Sequence, residues 1–473
     1  MKISEIFKDY KGKDVEINGI KTNSKEVKEN DMFVCIQGAN IDRHEYIDEA
    51  IKNGASFVVG SKDIKTNIPY IKLDNPNKEL INILSKFYDY PQNKLILIGI
   101  TGTDGKTTSA KIIQQLIGEN ICGYIGTIGA DCAYFNELTS NTTPSLEVIF
   151  KYLDKFVKNN IKYVVIEVSS EAYFYNRIDG LTFDLALLTN ITSEHLNTHK
   201  TIENYVACKK ELFKNSKKQV LNIDDKHFKE IKEVSNDYLT YGYNNEANLI
   251  INDYKLYPNK SIIEYTYDTN TYKYETSLLG KFNIDNLALA IATLKALHIE
   301  LNDIETKLKE LAICGRMEKI ELGQDFYCII DYAHTTNAIK NVLEFVNTLD
   351  VNRIITITGQ AGGREKEKRK DIGKIVLDLS SYAILTEDDP REEKVIDIIN
   401  MMLKETNKTN YEIVLDRKEA IKKAIEIAKP KDLLLFLGKG SDKYMAYKES
   451  RAYYDEKEEV TKAIKNASNV VSP

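Results

Sequence analysis

Between Lys13 and about Gly60, short apolar runs (VEINGI, MFVCIQG, ASFVVG) alternate with charged turns, and Tyr46–Asn53 carries one amphipathic stretch. That spacing predicts a small α/β unit of short strands and a helix. Near Asn93 the pattern changes to KLILIGITGTDGKTTSAKIIQQLI. This reads as a buried strand, a Gly-rich turn and a helix, the start of a phosphate-binding βα unit. Apolar runs at Tyr163–Val168 and Leu185–Thr189, with helical segments between them, predict a parallel sheet covered by helices. Residues 244–276 alternate through IINDYKLY and SIIEYTYD, which predicts antiparallel hairpins. After Cys314-Gly315-Arg316, the runs FYCIIDYA, RIITITG, YAILTEDD, YEIVL and DLLLFLGKG restore strand–helix alternation, with ligands expected at the strands' carboxyl ends.

Length agrees with several units, because 473 residues exceed the roughly 250–300 that one core supports. The expected division is 1–94, 95–314 and 315–473, all α/β. No apolar run approaches the roughly 20 residues of a membrane span, and the opening MKISEIFKDYKGKD lacks the apolar stretch of a signal peptide. A cytoplasmic chain without membrane insertion is expected. The net charge of −6 argues against a nucleic-acid partner, which requires a basic face. Six cysteines stand singly with no CxxC pair, so buried core thiols are expected rather than a zinc site.

The densest chemistry is Gly102-Thr103-Asp104-Gly105-Lys106-Thr107-Thr108 directly after Leu95–Ile100. Glycines let backbone N–H groups reach phosphate oxygens, a lysine counters their charge, and a threonine hydroxyl at a helix N-terminus suits Mg²⁺. Glu167 ends the strand YVVIEV, where a carboxylate beside such a loop is placed for a hard cation. His195 follows another strand in TSEHLNTH; alone it is an ordinary surface or core histidine.

Motifs in one order along the chain change its weight: NSK, TGTDGKTT, NTTPS, IEVSS, TNITSEHLNTH, YVACKKELF, GKFNIDN, GRME, DYAHTTNAI, AGGRE, EDDPRE and GKGSD. Together they resemble the Mur ligases, and within them the enzymes that extend a UDP-linked muramoyl dipeptide by its third residue. The resemblance implies three domains: a UDP-substrate domain, a central P-loop ATPase-type domain and a C-terminal Rossmann-like domain. It also implies amide formation through an acyl phosphate, with ATP and Mg²⁺ required and a UDP-N-acetylmuramoyl-dipeptide and a free amino acid as substrates. A monomer is expected. Gly102 to Thr108 would hold the triphosphate. Thr107, Glu167, His195 and Lys209, the last carbamylated, would face metal. Asn283 and Asn286 would lie near adenine, and Arg316, Asp331, Tyr332 and His334 would contact ATP from the third domain.

Ser24 and His44 match positions around the uridine diphosphate, and Asn141, Thr142, Thr143, Ser169 and Arg177 match residues that hold the muramoyl dipeptide. Arg364, Asp388, Asp389, Arg391, Gly438 and Asp442 are expected around the incoming amino acid. Arg391 and Asp442 favour meso-diaminopimelate, whose side chain ends in an ammonium and a carboxylate, over L-lysine. The chain departs from the pattern at Glu171, Glu194, Asn197 and Thr198, and where Gly362-Gly363-Arg364-Glu365 stands for Gly-Gly-Asp-Arg-Asp. A paralogue with another amino acid or precursor, folylpolyglutamate synthetase and a non-catalytic nucleotide-binding regulator are the alternatives. About 95 residues before the loop count against the second, and joint retention of Lys106, Glu167, His195, Lys209, Asp331 and His334 against the last.

Overall fold

The computed structural model describes residues 1–37, 41–192, 199–300, 303–364 and 366–470. The chain packs as two compact units, one of residues 1–250 with 288–300, the other of 251–287 with 301–473. His195 lies outside the described residues. Both units are mixed α/β.

In the first unit, a four-stranded parallel sheet runs in the order Gly19–Lys21, Asp31–Val34, Ala55–Gly60 and Tyr70–Lys72. Only the end of VEINGI enters it. The central strand Ile96–Thr101 of the second sheet is almost wholly buried, as a run flanked by strands and covered on both faces must be. Phe183–Leu188 and Tyr163–Glu167 flank it in parallel, with Thr101 opposite Leu188 and Ile100 opposite Glu167. This register sets three carboxyl ends side by side, the position at which an α/β sheet collects ligands. Cys122–Gly126 extends the sheet in parallel, and the short strands Gly129–Cys132 and Phe135–Glu137 add an antiparallel margin. No apolar run announced that margin.

In the second unit a six-stranded sheet places Tyr327–Asp331 beside Leu433–Leu437, then Ile354–Thr358, Tyr382–Leu385 and Tyr411–Ile413, these five parallel, with the short Glu318–Lys319 antiparallel to Tyr327–Asp331 at the edge. Ser261–Tyr267 and Asn270–Thr276 form the antiparallel hairpin expected there. The hairpin reading of 244–276 fails at its start, because Leu249 and Ile250 pair in parallel with Tyr241 and Gly242. Of the six cysteines, Cys35, Cys122, Cys132 and Cys328 are buried, whereas Cys208 is half-buried and Cys314 exposed. Among the described residues no helix is long and apolar enough to cross a membrane.

Candidate active site

Gly102 has φ 152°, and a Cβ there would lie 1.8 Å from Thr189 Oγ1, so this turn admits only glycine. Gly105 (φ 81°) leads into the helix Lys106–Ile117, whose Thr107 and Thr108 are buried at its first turn. The adjacent strand end braces the loop. Thr103 N donates to Asn190 O at 2.7 Å, Asp104 N donates to Asn190 Oδ1 at 3.1 Å, and Thr189 Oγ1 donates to Asp104 O at 2.6 Å. Lys106 Nζ folds back onto the carbonyls of Gly102 (2.9 Å) and Thr103 (2.8 Å). A phosphate oxygen is a stronger acceptor than either carbonyl and would draw it outward.

Lys209 lies on the helix Ile202–Lys214 and is 2% exposed. Its Nζ donates to Gly102 O at 2.8 Å and stands 4.5 Å from the Tyr205 ring centroid, with no carboxylate in ion-pair range among the described residues. Burial, and then the neighbouring Lys106, hold the amine well below the usual lysine range. The neutral amine is the form that adds CO₂, so this environment suits carbamylation.

Glu167 is fully buried. Its carboxylate accepts from Tyr124 Oη, from Thr127 N at 3.3 Å and from Thr127 Oγ1 at 3.1 Å; no cation reaches ion-pair distance among the described residues. Its backbone carbonyl accepts from Thr143 Oγ1 at 2.7 Å, and Thr143 Oγ1 in turn accepts from Ser169 N at 2.9 Å. Arg177 donates to Thr143 O at 3.2 Å, and Thr142 Oγ1 lies 3.1 Å from Thr127 Oγ1. The fold therefore draws Thr142, Thr143, Ser169 and Arg177 around Glu167. Asn141 is exposed nearby, its amide donating to Ser140 Oγ. A buried carboxylate with neutral donors only, beside a threonine at a helix N-terminus, fits a hard divalent cation. Among the described residues no three His, Cys, Asp or Glu side chains form a ready-made cluster. A carbamate on Lys209 would supply a further anionic oxygen donor.

Ser24 and His44 are engaged internally. Ser24 Oγ donates to Glu49 Oε2 at 2.5 Å, while His44 pairs through Nδ1 with Asp42 at 2.5 Å and accepts at Nε2 from Ser61 N at 2.9 Å. Both fix the loop rather than offering a free polar group.

In the second unit, Asp331 is buried and accepts from Met317 N (2.7 Å) and Ala333 N (2.8 Å). Burial raises its carboxyl above the usual range despite the opposing charge of Arg316. The Arg316 guanidinium stacks 4.4 Å from the Tyr332 ring centroid, and its Nε is buried without a hydrogen-bond partner. His334 Nδ1 lies 2.9 Å from Tyr332 O. A Cβ on Gly315 (φ 64°) would lie 2.1 Å from Ser441 N, so glycine lets the 314–316 turn meet the GKGSD loop. Asn283 and Asn286 are buried on the helix Lys281–Ala296; Asn283 donates to Leu279 O at 2.8 Å and accepts from Asn286 Nδ2 at 3.1 Å.

The residues expected around the amino acid divide into two groups. Asp389 is salt-bridged to the fully buried Lys439 at 2.8 Å and accepts from Ala446 N at 2.9 Å. Lys439 also lies 3.8 Å from Asp388 and 3.7 Å from Asp442. Burial pushes Asp388 up to about 6, and it raises Asp442 against the charges of Lys439, Arg316 and Arg364. A Cβ on Gly438 would lie 2.2 Å from Asp388 Oδ2. Arg391 stands apart: exposed and without a carboxylate partner among the described residues, it lines a cleft of about 670 Å³ with Gly363, Lys366, Tyr447 and Arg451. The expected pairing of Arg391 with Asp442 across one ligand gains no direct support, since Asp442 is oriented by Lys439.

Sequence patterns missed Tyr124, Thr127, Asn190 and Lys439. Lys439 was visible inside GKGSD. Tyr124 and Thr127 belong to a strand and turn that carry no charged motif, so only packing reveals them.

Residues 16–92 match the Mur ligase family catalytic domain, 100–294 the Mur ligase middle domain and 315–440 the Mur ligase glutamate ligase domain. The chain is 38% identical over 457 residues to the UDP-N-acetylmuramoyl-L-alanyl-D-glutamate--2,6-diaminopimelate ligase of Fusobacterium nucleatum, covering 94% of this chain and 93% of that protein. It is 34% identical over 481 residues to ligase 1 of the same description from Clostridium acetobutylicum, covering 98% and 99%. A solved structure of a ligase with that description superposes with a TM-score of 0.71 at 25% identity, covering 99% of each chain. A Gly-rich loop at a helix N-terminus, a buried lysine and carboxylate beside it, and matches across nearly the whole length lead to one assignment: the chain belongs to the Mur ligase family of ATP-dependent, ADP-forming ligases.

Proposed function

We propose that the protein joins a diamino acid, meso-diaminopimelate in preference to L-lysine, to UDP-N-acetylmuramoyl-L-alanyl-D-glutamate in the cytoplasm. The free carboxylate of the precursor attacks the γ-phosphorus of ATP, ADP leaves, and an acyl phosphate forms. The amine of the amino acid then attacks the acyl carbon, phosphate leaves, and the amine proton is released. The observation that carries this reading is Lys209: a buried amine, held well below the usual lysine range by burial and by Lys106, that donates to the P-loop carbonyl of Gly102.

Lys106 would follow the γ-phosphoryl group, with the loop N–H groups from Gly102 to Thr108 holding the remaining phosphates. Glu167, Thr107, His195 and a carbamate on Lys209 would hold Mg²⁺. When bound, Mg²⁺ supplies positive charge to phosphate and acyl-phosphate oxygens. Thr142, Thr143, Ser169 and Arg177 surround Glu167 with hydroxyls and a guanidinium, which suits a peptide carboxylate next to its activation site. The orphaned Nε of Arg316, stacked on Tyr332, supports a role with Asp331 and His334 in holding the nucleotide. Three family segments and separate sheets support division into 1–94, 95–314 and 315–473. The names of the relatives and the unpartnered Arg391 support the amino-acid preference.

The test is purified protein with ATP, Mg²⁺, the UDP-linked dipeptide and a panel of amino acids, read by phosphate release and product mass. A tripeptide product with diaminopimelate dominant is expected. ATP-dependent turnover of another acceptor, or none, overturns the assignment.

A further inference from the structure

Among the described residues Glu167 accepts three hydrogen bonds, all from neutral donors, and they fall unevenly. Tyr124 Oη and Thr127 N donate to Oε1, while Thr127 Oγ1 alone donates to Oε2. A carboxylate oxygen has about two lone-pair sites, so Oε1 is saturated, and among the described residues Oε2 keeps one direction open. Tyr124 is buried on Cys122–Gly126, opposite Val165 of the strand that ends in Glu167. Gly126 completes the close fit, because a Cβ there would lie 2.4 Å from Glu167 Oε1 and 2.3 Å from Tyr124 Oη. Behind the ring stands Lys111, its Nζ 5.2 Å from the centroid. Its charge is spent elsewhere, on Asp131 at 2.9 Å with Gln114 at 2.5 Å. The ring therefore stands between an ion-paired ammonium and a carboxylate with no cation in reach among the described residues.

We propose that Tyr124 is a positioning residue for the ligase reaction: its hydroxyl occupies Oε1 and leaves Oε2 as the single oxygen through which Glu167 meets a divalent cation. The inference rests on the metal-facing role of Glu167. One-oxygen contact suits Mg²⁺, which demands near-octahedral geometry, whereas a carboxylate free to chelate with both oxygens suits Ca²⁺ better. Tyr124 would thus set the cation preference as well as the affinity.

The test is Tyr124→Phe, which removes one oxygen and keeps the ring packed against Lys111, with folding checked by thermal melting. Metal binding is measured without turnover, by electron paramagnetic resonance of Mn²⁺ in the presence of a non-hydrolysable ATP analogue, with Mg²⁺ and Ca²⁺ as competitors. Mn²⁺ affinity at the Glu167 site is expected to fall about tenfold, the usual order for a group that orients a metal ligand. Mg²⁺ should lose more than Ca²⁺, and in turnover kcat should recover at saturating Mg²⁺ while the half-saturating Mg²⁺ concentration rises. Mg²⁺ affinity within twofold of the wild type overturns the proposal, and so do equal losses for the two cations. Glu167→Gln separates the two levels. If it leaves Mn²⁺ binding unchanged, the metal role of Glu167 falls and the proposal with it; if it weakens binding while Tyr124→Phe does not, only the assignment of Tyr124 falls.

Discussion

Buried charge is handled in opposite ways in the two units. In the second, Arg417 and Glu456 are both fully buried and pair at 2.6 Å, Arg369 meets Glu393 at 2.8 Å, and Lys439 meets Asp389 at 2.8 Å. Arg417 also donates to Leu437 O at 2.8 Å and Glu387 O at 3.3 Å, so one guanidinium ties together the strand ends that carry GKGSD and DDPR. In the first unit, Lys209 and Glu167 are buried with no opposite charge in reach among the described residues. That unit pairs charges elsewhere, as Lys111 and Asp131 show. Leaving a buried charge uncompensated is costly, and the usual outcome is a shifted pKa or a bound counter-ion. The comparison teaches which charges are scaffold and which are completed by ligands.

The comparison breaks first at Lys209. Lys209→Ala is expected to lower kcat by about 10²–10³-fold, the order seen when one transition-state charge partner is removed, with partial recovery on adding a short carboxylic acid. Near-normal turnover would place Lys209 among the scaffold residues. The stability effect has the opposite sign. In protein freed of CO₂ and bicarbonate, where the amine is uncarbamylated, the folded state holds it below the ordinary value near 10.5, so the residue destabilises at neutral pH. Lys209→Met should therefore raise Tm at pH 7, and the gain should shrink as pH rises toward about 10.5 and be absent above it.

Lys439 should behave as its mirror image. Lys439→Met leaves Asp389 buried without its cation, and urea unfolding should show a loss of about 3–5 kcal/mol. A loss below 1 kcal/mol would remove the pair from the scaffold class.

A third effect follows from Asp388, whose carboxyl is pushed up to about 6 by burial. Its folded pKa exceeds its unfolded value of 3.8, so the folded state binds more protons and stability falls as pH rises through the window from about 4 to 6. The drop is about 3 kcal/mol at most by linkage. Asp388→Asn should flatten that stretch of the stability profile; an unchanged slope would assign it to another group.

The smallest stability change belongs to Arg391, exposed and outside the paired set. Arg391→Ala should leave stability within about 0.5 kcal/mol, as surface substitutions do, while raising KM for diaminopimelate and narrowing its advantage over lysine. Equal-concentration competition with products separated by mass reads this directly.

Much of this was legible in the chain. Gly102, Gly105 and Lys106 followed from the chemistry of phosphate binding, and the buried strands from unbroken apolar runs such as LILIGI. Glu167 was visible because it ends a strand beside the loop. The hydrogen bonds that orient it were not, because Tyr124 and Thr127 come from a strand whose pairing is set by tertiary contacts, and neither residue type is rare in a core. The same limit explains Asp389. Sequence placed it at the amino-acid site, and only packing reveals that Lys439, fifty positions on, is its ion-pair partner. The antiparallel margin at 129–137 escaped because its strands are three and four residues long.

The difference between the two units comes to a point at one side chain. Protein equilibrated with ¹³C-bicarbonate should give a carbamate carbon resonance by NMR that disappears in Lys209→Ala and on mild acidification. A wild-type spectrum without that resonance, in protein that still forms ADP and the extended peptide, would contradict the assignment of Lys209 as the buried amine that becomes the anion of the active site.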